Sequence, residues 1–93
     1  MLYAVEIRDV ALEDLGEMPQ NIRARILRAI EQRLTTAPTR YGVRLQQSLT
    51  GLWKLRVGDC RVVYELEGAR LSVWAIRHRK DVYPVVERRW FRA

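Results

Sequence analysis

Hydrophobic and polar positions recur with two different periods along the chain. Residues 2–8, LYAVEIR, alternate with a period near two and predict a strand. A short helix is predicted next, over residues 9–15, with Asp9 as its N-cap and a glycine after it. In residues 21–34, NIRARILRAIEQRL, apolar side chains recur every four positions, which predicts an amphipathic helix on a core with Pro19 in its first turn. Its apolar positions are Ile22, Ile26, Ile30 and Leu34, widened by Leu27 and Ala29.

The second half of the chain has the pattern of an antiparallel meander. The long helix must stop before Pro38, and from Val43 onward the period changes to two. Turn signals divide this segment at Thr50-Gly51, Gly58-Asp59 and Gly68-Ala69. We therefore expect an α+β fold with an antiparallel sheet of about four strands. Two N-terminal helices would pack on one face, and the other face would stay open. A short C-terminal helix would begin near Pro84 and place Trp90 and Phe91 on an apolar surface.

Length and composition limit the class of protein. A chain of 93 residues supports one domain, spanning 1–93, and 48% apolar with 30% charged residues is typical of a globular protein. No apolar run approaches the ~20 residues of a membrane span, and the start is acidic where a signal peptide would be basic, so we expect a cytoplasmic protein. The single Cys60 has no His or Cys neighbours at metal-binding spacing. We expect no disulfide, metal or cofactor.

The charge predicts a polyanionic partner. Seventeen basic residues against 11 acidic ones give a net charge of +6 and a pI of about 10.2. Fifteen of the cations are Arg, whose planar fork binds phosphate through two hydrogen bonds and stacks on bases. Nucleic acid fits this composition, although a GC-rich genome alone also enriches Arg.

The segment LWKLRVGDCRVVY, residues 52–64, predicts a hairpin with a cationic face. A two-residue loop at Gly58-Asp59 fixes which residues face each other. The side chains on the core face would form the pairs Trp53 and Tyr64, Leu55 and Val62, and Val57 and Cys60. The opposite face would carry Lys54, Arg56 and Arg61, with Arg56 directly across from Arg61. Like charges opposed in this way are mildly destabilising, so the face favours an anion that relieves the repulsion. The alternative is a solvated face balanced by Asp59, Glu65 and Glu67.

A second cationic cluster follows the last strand in AIRHRKDVY, residues 75–83. Arg77, Arg79 and Lys80 suit phosphate contacts, while Tyr83 suits stacking on a base or hydrogen bonding to a ribose. His78 is the only histidine, the residue type that most often moves protons in active sites, so it is a candidate for proton transfer. A lone exposed histidine in a basic run is more often just another hydrogen-bond donor.

These motifs carry a resemblance to a known family. The opening strand and helix pair, the hairpin GLWKLRVGDCRVVYEL and the closing IRHRKDVY resemble the RelE/ParE superfamily of bacterial toxin–antitoxin toxins, the RelE-type branch in particular. The resemblance covers nearly the whole chain. It implies a ribosome-dependent mRNA endonuclease, encoded beside an antitoxin that wraps and neutralises it.

The resemblance also implies a set of site residues. The RelE pattern of a Lys before the hairpin turn, an Arg just after it, an Arg ending the next strand and a closing Tyr falls on Lys54, Arg61, Arg77 and Tyr83. RelE-type chains carry a second Lys two residues before the first, where this chain has Leu52. The residue before Arg61 is commonly aromatic, and here it is Cys60, which the hairpin register places in the core. Several branches use a His near the final Tyr, and His78 is a candidate for that group.

Metal-independent RNA cleavage explains why cations are needed. The 2′-OH must be deprotonated to attack its own phosphate, the phosphorane charge must be stabilised, and the departing 5′-oxygen must be protonated. We expect Arg61 and Arg56 to hold the nonbridging oxygens and Lys54 to lower the pKa of the 2′-OH or act as the base. Arg77 or His78 would assist the leaving group, with Arg79 and Lys80 among the RNA-binding cations.

Strict alternation conflicts with part of this site. An even loop at Gly68-Ala69 puts Leu71, Val73 and Ala75 on the core face and carries Arg77 there too. We therefore predict a bulge near Ile76, or Arg77 curling over the rim of the sheet, so that Arg77 joins Lys54 and Arg61 in one concave site.

Two other functions remain open on the same fold. A ParE-like protein poisons DNA gyrase and cleaves no RNA, but such chains usually lack the full Lys, Arg, Arg, Tyr arrangement. A degenerate toxin that only binds RNA or its antitoxin is the other alternative, because Leu52 replaces the second Lys. The antitoxin would bind along the Arg-bearing helix face or across the site itself, with acidic residues meeting the basic ones.

Overall fold

A computed structural model describes residues 2–92 of the chain. The strands and helices follow in the order β1 (Ala4–Ile7), α1 (Asp9–Gly16), α2 (Gln20–Ala29), α3 (Pro38–Tyr41), β2 (Val43–Arg44), β3 (Leu52–Val57), β4 (Cys60–Glu67), β5 (Arg70–His78) and α4 (Val82–Phe91). A π-helical turn, Ile30–Leu34, extends α2, and a short 3₁₀ turn, Gln47–Leu49, lies between β2 and β3.

The strands form one mixed sheet in the order β1-β5-β4-β3-β2. Strands β2 to β5 are the predicted antiparallel meander. The sheet has five strands rather than about four, because β1 adds to the free edge of β5 in parallel. Only Ala4–Ile7 forms the first strand, so residues 2–8 were predicted too long.

Helices α1 and α2 cover one face of the sheet, as predicted. Ala11 and Leu15 of α1 and Ile26 of α2 are buried against the side chains that point inward from β3, β4 and β5. The sheet contributes Leu55, Val57, Val62, Tyr64, Leu71, Val73 and Ile76 to this inner core. Leu27, predicted to widen the apolar stripe of the helix, is 41% exposed.

The expectation that the other face stays open is wrong, since α4 packs across part of it. A second set of buried side chains, which we call the outer cluster, comprises Leu45, Leu49, Leu52, Val63, Trp74, Ala75, Val82 and Val86. Trp90 joins it by an edge-to-face contact with Trp74, at 5.1 Å between ring centroids. Phe91, expected to dock beside Trp90, is 63% exposed.

The helix ends differ from the predictions by one or two residues. Arg8, not Asp9, occupies the N-cap of α1, because Arg8 is extended and its carbonyl accepts hydrogen bonds from the first turn. Pro38 begins α3 in a stretch predicted to be a turn. Pro84 lies in the first turn of α4, where a missing N–H leaves no helical hydrogen bond unmade. Among residues 2–92, no helix combines the length and the apolar character needed to cross a membrane.

Candidate active site

The hairpin register places three arginines in a row across neighbouring strands. Lys54 faces Val63 and Arg56 faces Arg61, as the two-residue loop predicted. Gly58 has φ near 59° in that loop, a left-handed conformation that glycine adopts without steric cost. On the next pair of strands Arg61 faces Arg77. We call the sheet surface beside α4 that carries these four cations the outer face.

A β-bulge brings Arg77 to this surface. Tyr64 faces Val73 but its neighbour Val63 faces Ala75, so Trp74 is an extra residue in β5. The alternation changes there, and Ala75 joins the outer cluster while Ile76 returns to the inner core. Arg77 therefore lies on the same face as Arg61. The bulge was predicted near Ile76 and occurs two residues earlier, beside the large indole that α4 covers.

Lys54 and Tyr83 meet although they lie on different elements. The Lys54 ammonium donates a hydrogen bond to Tyr83 Oη at 3.0 Å, and both side chains are half-buried. The nitrogen also lies 5.6 Å from the centroid of the Tyr83 ring. Because Val82 and Val86 anchor α4 in the outer cluster, the start of this helix holds the phenol over β3.

Arg61 is oriented by backbone carbonyls. One guanidinium nitrogen, Nη1, donates to Gly58 O at 3.0 Å and to Cys60 O at 2.8 Å. Within residues 2–92 Arg61 makes no ion pair with a carboxylate. Its positive charge is fixed in place without being neutralised, which suits binding of an external anion.

Arg77, in contrast, is engaged by two carboxylates. Nη1 lies 3.3 Å from Asp14 Oδ1, and Nη2 lies 3.1 Å from Asp81 Oδ2. The hydrogen bond to Asp81 is the main reason that the pKa of Arg77 lies above its ordinary value. Arg77 thus reaches the outer face through its backbone position, while its guanidinium is drawn towards the edge of β5.

Asp14 is the buried centre of this network and was missed by sequence reasoning. Its carboxylate accepts bonds from Arg89 at 2.7 and 2.9 Å and from the Ile76 amide at 3.0 Å. Burial alone raises the pKa of Asp14, but these hydrogen bonds, the charge of Arg89 and a hydrogen bond from Arg77 outweigh it and hold the pKa below the ordinary value. The available signal was a carboxylate on the apolar side of α1, between Ala11 and Leu15.

The two residues that depart from the RelE pattern both pack against apolar side chains. Leu52, at the position where RelE-type chains carry a second Lys, is fully buried in the outer cluster beneath α4. Cys60 packs against the inner core, as the hairpin register predicted. Burial, followed by the charge of Asp59, raises the pKa of the Cys60 thiol, so the thiol stays protonated at neutral pH.

The remaining predicted residues lie apart from Lys54 and Tyr83. His78 faces Cys60 across the strands, on the inner side of the sheet, and both line a pocket of about 460 Å³ beside α2. Its Nδ1 accepts a hydrogen bond from the Lys80 amide. Arg79 Nε lies 3.8 Å from Asp59 Oδ1 at the surface. The structure does not bring His78 to the outer face.

The sequence matches a described family over most of its length. A model of the "ParE toxin of type II toxin-antitoxin system, parDE" matches residues 5–83. The chain belongs to the RelE/ParE superfamily of type II toxins. This toxin is 34% identical over 83 residues to Toxin RelE from Mycobacterium tuberculosis, an alignment that covers 87% of this chain and 86% of that protein. The superfamily expected from the sequence motifs is confirmed.

Solved structures confirm the fold of the toxin. The toxin–antitoxin complex RelBE2 from Mycobacterium tuberculosis matches 85% of this chain and 100% of the matched chain, with a TM-score of 0.81 and 26% identity. A mutant of Escherichia coli RelE in the free state matches 99% of this chain and 98% of its own, with a TM-score of 0.74 and 16% identity. At 16% identity that likeness concerns the fold alone. The expected α+β architecture with a C-terminal helix is confirmed.

Proposed function

We propose that this toxin is a ribosome-dependent mRNA endonuclease that cleaves by metal-independent attack of a 2′-OH on the adjacent phosphate. The observation that carries the proposal is the contact between Lys54 and Tyr83 beside the free charge of Arg61. These side chains come from β3, α4 and β4, and they share one face of the sheet. The 34% identity to the relative named Toxin RelE supports the same assignment.

The hydrogen bonds within the site determine which donors of each side chain remain available to a substrate. Lys54 uses one ammonium proton on Tyr83, so two remain for a ribose or phosphate oxygen. Tyr83 accepts that bond, which leaves its own O–H to donate. Arg61 spends Nη1 on carbonyls, and its Nη2 remains for a nonbridging oxygen.

These donors fit the charge changes of 2′-OH attack. An ammonium beside the 2′-OH lowers its pKa, and arginines stabilise the phosphorane. Arg56, exposed opposite Arg61, is the second candidate ligand for the nonbridging oxygens. The site supplies charge and orientation, and we propose that the ribosome supplies the positioning of mRNA.

Of the two residues expected to assist the leaving group, Arg77 is better supported than His78. Arg77 lies on the outer face, opposite Arg61, whereas His78 lies on the inner side of the sheet. A guanidinium is a poor proton donor at neutral pH, so Arg77 would stabilise charge on the departing oxygen. Its ion pairs with Asp14 and Asp81 reduce the charge it can offer.

We also propose a cognate antitoxin as a partner of this toxin. The RelBE2 complex, in which a RelE-type toxin is bound to an antitoxin, supports the proposal. Acidic antitoxin segments would cover the cations of the outer face and exclude RNA, as expected when a nuclease must be kept inactive.

Inhibition of DNA gyrase is the second candidate, because the matching family model carries the ParE name. The two functions differ in which macromolecule is damaged first. Expression of the chain without its antitoxin, followed by mapping of mRNA ends on translating ribosomes, separates them. We expect new ends within translated messages, absent from an Arg61→Ala, Arg77→Ala double variant and present in an Arg70→Ala control. Intact message with arrested replication and inhibited gyrase would contradict the nuclease proposal.

A further inference from the structure

A groove lined by arginines runs between α2 and the edge of β3. It encloses about 160 Å³ and lies on the helix side of the hairpin. Helix α2 and its π-helical extension contribute Arg25, Arg28, Ala29, Gln32 and Arg33, and the hairpin contributes Arg56, Val57 and Gly58. We call this the arginine groove.

The charge of the arginine groove is not compensated. No carboxylate lines it, and none of its four arginines forms an ion pair within residues 2–92. Arg25 and Arg28 are exposed and lie three residues apart on α2, so they are neighbours on one helix face. Four adjacent guanidinium groups repel one another, and a bound anion would relieve that repulsion.

The groove is continuous with the outer face through one residue. Arg56 lines the groove, and across the hairpin it faces Arg61 beside the Lys54 and Tyr83 contact. In the described chain β2 pairs only with Trp53 and Lys54, so the edge of β3 is open from residue 55 onward. A flexible polyanion held at the outer face can therefore pass around this edge into the groove.

The lining favours a nucleic-acid backbone over a protein segment. The centre of a protein interface is usually a well-packed pocket that excludes water, whereas this groove exposes mainly guanidinium and amide groups. The groove also ends near an exposed aromatic side chain, since the Arg33 guanidinium lies 5.6 Å from the ring centroid of Tyr41, which is 46% exposed. Arginines beside an exposed aromatic side chain are typical of single-stranded RNA sites.

We propose that the arginine groove binds the phosphates of the single-stranded RNA that flanks the linkage held at the outer face. This inference rests on the proposed function and extends it, because it gives the RNA a direction past Arg56 and a footprint of several nucleotides. Arg25 and Arg28 bind backbone phosphates, and Tyr41 offers a stacking surface at the far end of the groove.

The test is a binding measurement with RNA that cannot be cleaved. Purified full-length toxin is titrated with fluorescent 2′-O-methyl RNA of increasing length, from about four to about ten nucleotides, a range that spans common single-strand site sizes. The Arg25→Gln, Arg28→Gln double variant is compared with an Arg70→Gln, Arg88→Gln control, which removes equal charge from exposed positions outside the groove. Thermal melting checks that all three proteins fold.

We expect the wild type and the control to gain affinity as the RNA lengthens, and the groove variant to lose most of that gain. For the longest RNA the groove variant should bind about tenfold more weakly at about 0.1 M salt, with a salt slope smaller by about 1.4, since each phosphate contact on a single strand contributes about 0.7.

Equal length dependence in all three proteins would overturn the inference. So would an equal loss of affinity in the groove variant and the control, since the effect would then follow the total charge and not the groove. Neither outcome depends on cleavage, so the nuclease proposal can fail in the ribosome experiment while RNA binding in the groove stands, and the reverse holds too.

Discussion

Asp14 joins three elements through one carboxylate. It lies on α1, and its carboxylate accepts a hydrogen bond from the Ile76 amide of β5. It also accepts one from Arg89 of α4, at 2.7 Å between Arg89 Nη1 and Asp14 Oδ2. A buried carboxylate is unfavourable unless it is paired, and here paired arginines and the amide compensate for burial. The position of α4, and with it the position of Tyr83, therefore depends on the negative charge of Asp14 on α1.

We predict that Asp14→Asn lowers the free energy of unfolding by about 2 kcal/mol at neutral pH, because hydrogen bonds to charged groups are lost. The folded-state pKa of Asp14 lies below that of an unfolded aspartate, about 3.9. Its contribution is therefore complete above that pH and is lost as the pH falls through the lower folded-state pKa. Urea unfolding of both proteins between about pH 7 and pH 2 measures the difference.

The matched control is Glu13→Gln, which removes the same charge from the exposed side of α1. It should change stability by less than about 0.5 kcal/mol. A difference between wild type and Asp14→Asn that stays constant down to the lowest pH would contradict the assigned ion pairs.

The Lys54 and Tyr83 pair gives a second prediction at this scale. Replacing Lys54 by Met keeps the length of the side chain but removes the ammonium, and we expect cleavage on programmed ribosomes to slow about 100-fold or more. Tyr83→Phe removes the hydrogen-bond acceptor and the phenolic donor while keeping the ring, so a smaller loss of about tenfold is expected. Single-turnover cleavage measures both rates.

Both variants should fold, because each side chain is only half-buried and leaves no charge unpaired in the core. Lys54→Met that cleaves at the rate of the wild type would remove Lys54 from the site. A Tyr83→Phe defect explained wholly by lower stability would reduce Tyr83 to a packing residue.

At the scale of elements, α4 covers the apolar part of the outer face and places Tyr83 beside Lys54. Val82 and Val86 are fully buried against Leu52, Val63 and Ala75 of the sheet. The helix has ten residues, too few to be stable alone in water, so its helicity depends on this packing.

We predict that Val86→Ala destabilises the toxin by about 2 kcal/mol, through lost burial and the cavity that remains. Val43→Ala, at a position that is 58% exposed, should be nearly neutral. Hydrogen exchange should show faster opening of α4 amides in Val86→Ala than in Val43→Ala. Equal exchange in the two variants would mean that α4 is held by something other than the outer cluster.

Local patterns predicted some elements and not others. The hairpin register followed from Gly58-Asp59, because a two-residue loop leaves one pairing of the flanking strands. The exact position of the bulge at Trp74 has no such local signal, because residues 73–76 are all apolar and do not show which face each side chain takes. The parallel pairing of β1 depends on contacts between residues over 60 positions apart, which no local period encodes.

The candidate site was predictable to the same extent. Lys54, Arg56 and Arg61 followed from the register, and Tyr83 from the family motif. The ion pair that partly neutralises Arg77 could not be predicted, because Asp14 reaches Arg77 only through tertiary packing of α1 on β5. Likewise the apolar residues of α4 indicated a buried helix face without indicating which face of the sheet it covers.

At the scale of the whole molecule, the two faces of the sheet have different roles. The inner core supports the strands from the side of α1 and α2, and the outer cluster fixes α4 beside the exposed cations. Within residues 2–92, Arg61 and the four arginines of the arginine groove form no ion pair, whereas Arg77 and Arg89 are paired with Asp14. Such a distribution attracts a polyanion to one side of the toxin.

The chemical identity of the RNA ends tests the central claim most directly. Purified toxin is incubated with ribosomes carrying a defined mRNA, and the fragments are analysed by mass spectrometry. Attack by the 2′-OH predicts a 2′,3′-cyclic phosphate on the upstream fragment and a 5′-OH on the downstream one, with both formed about 100-fold or more slowly by Lys54→Met. Fragments that carry a 3′-OH and a 5′-phosphate, or an mRNA that stays intact, would contradict it.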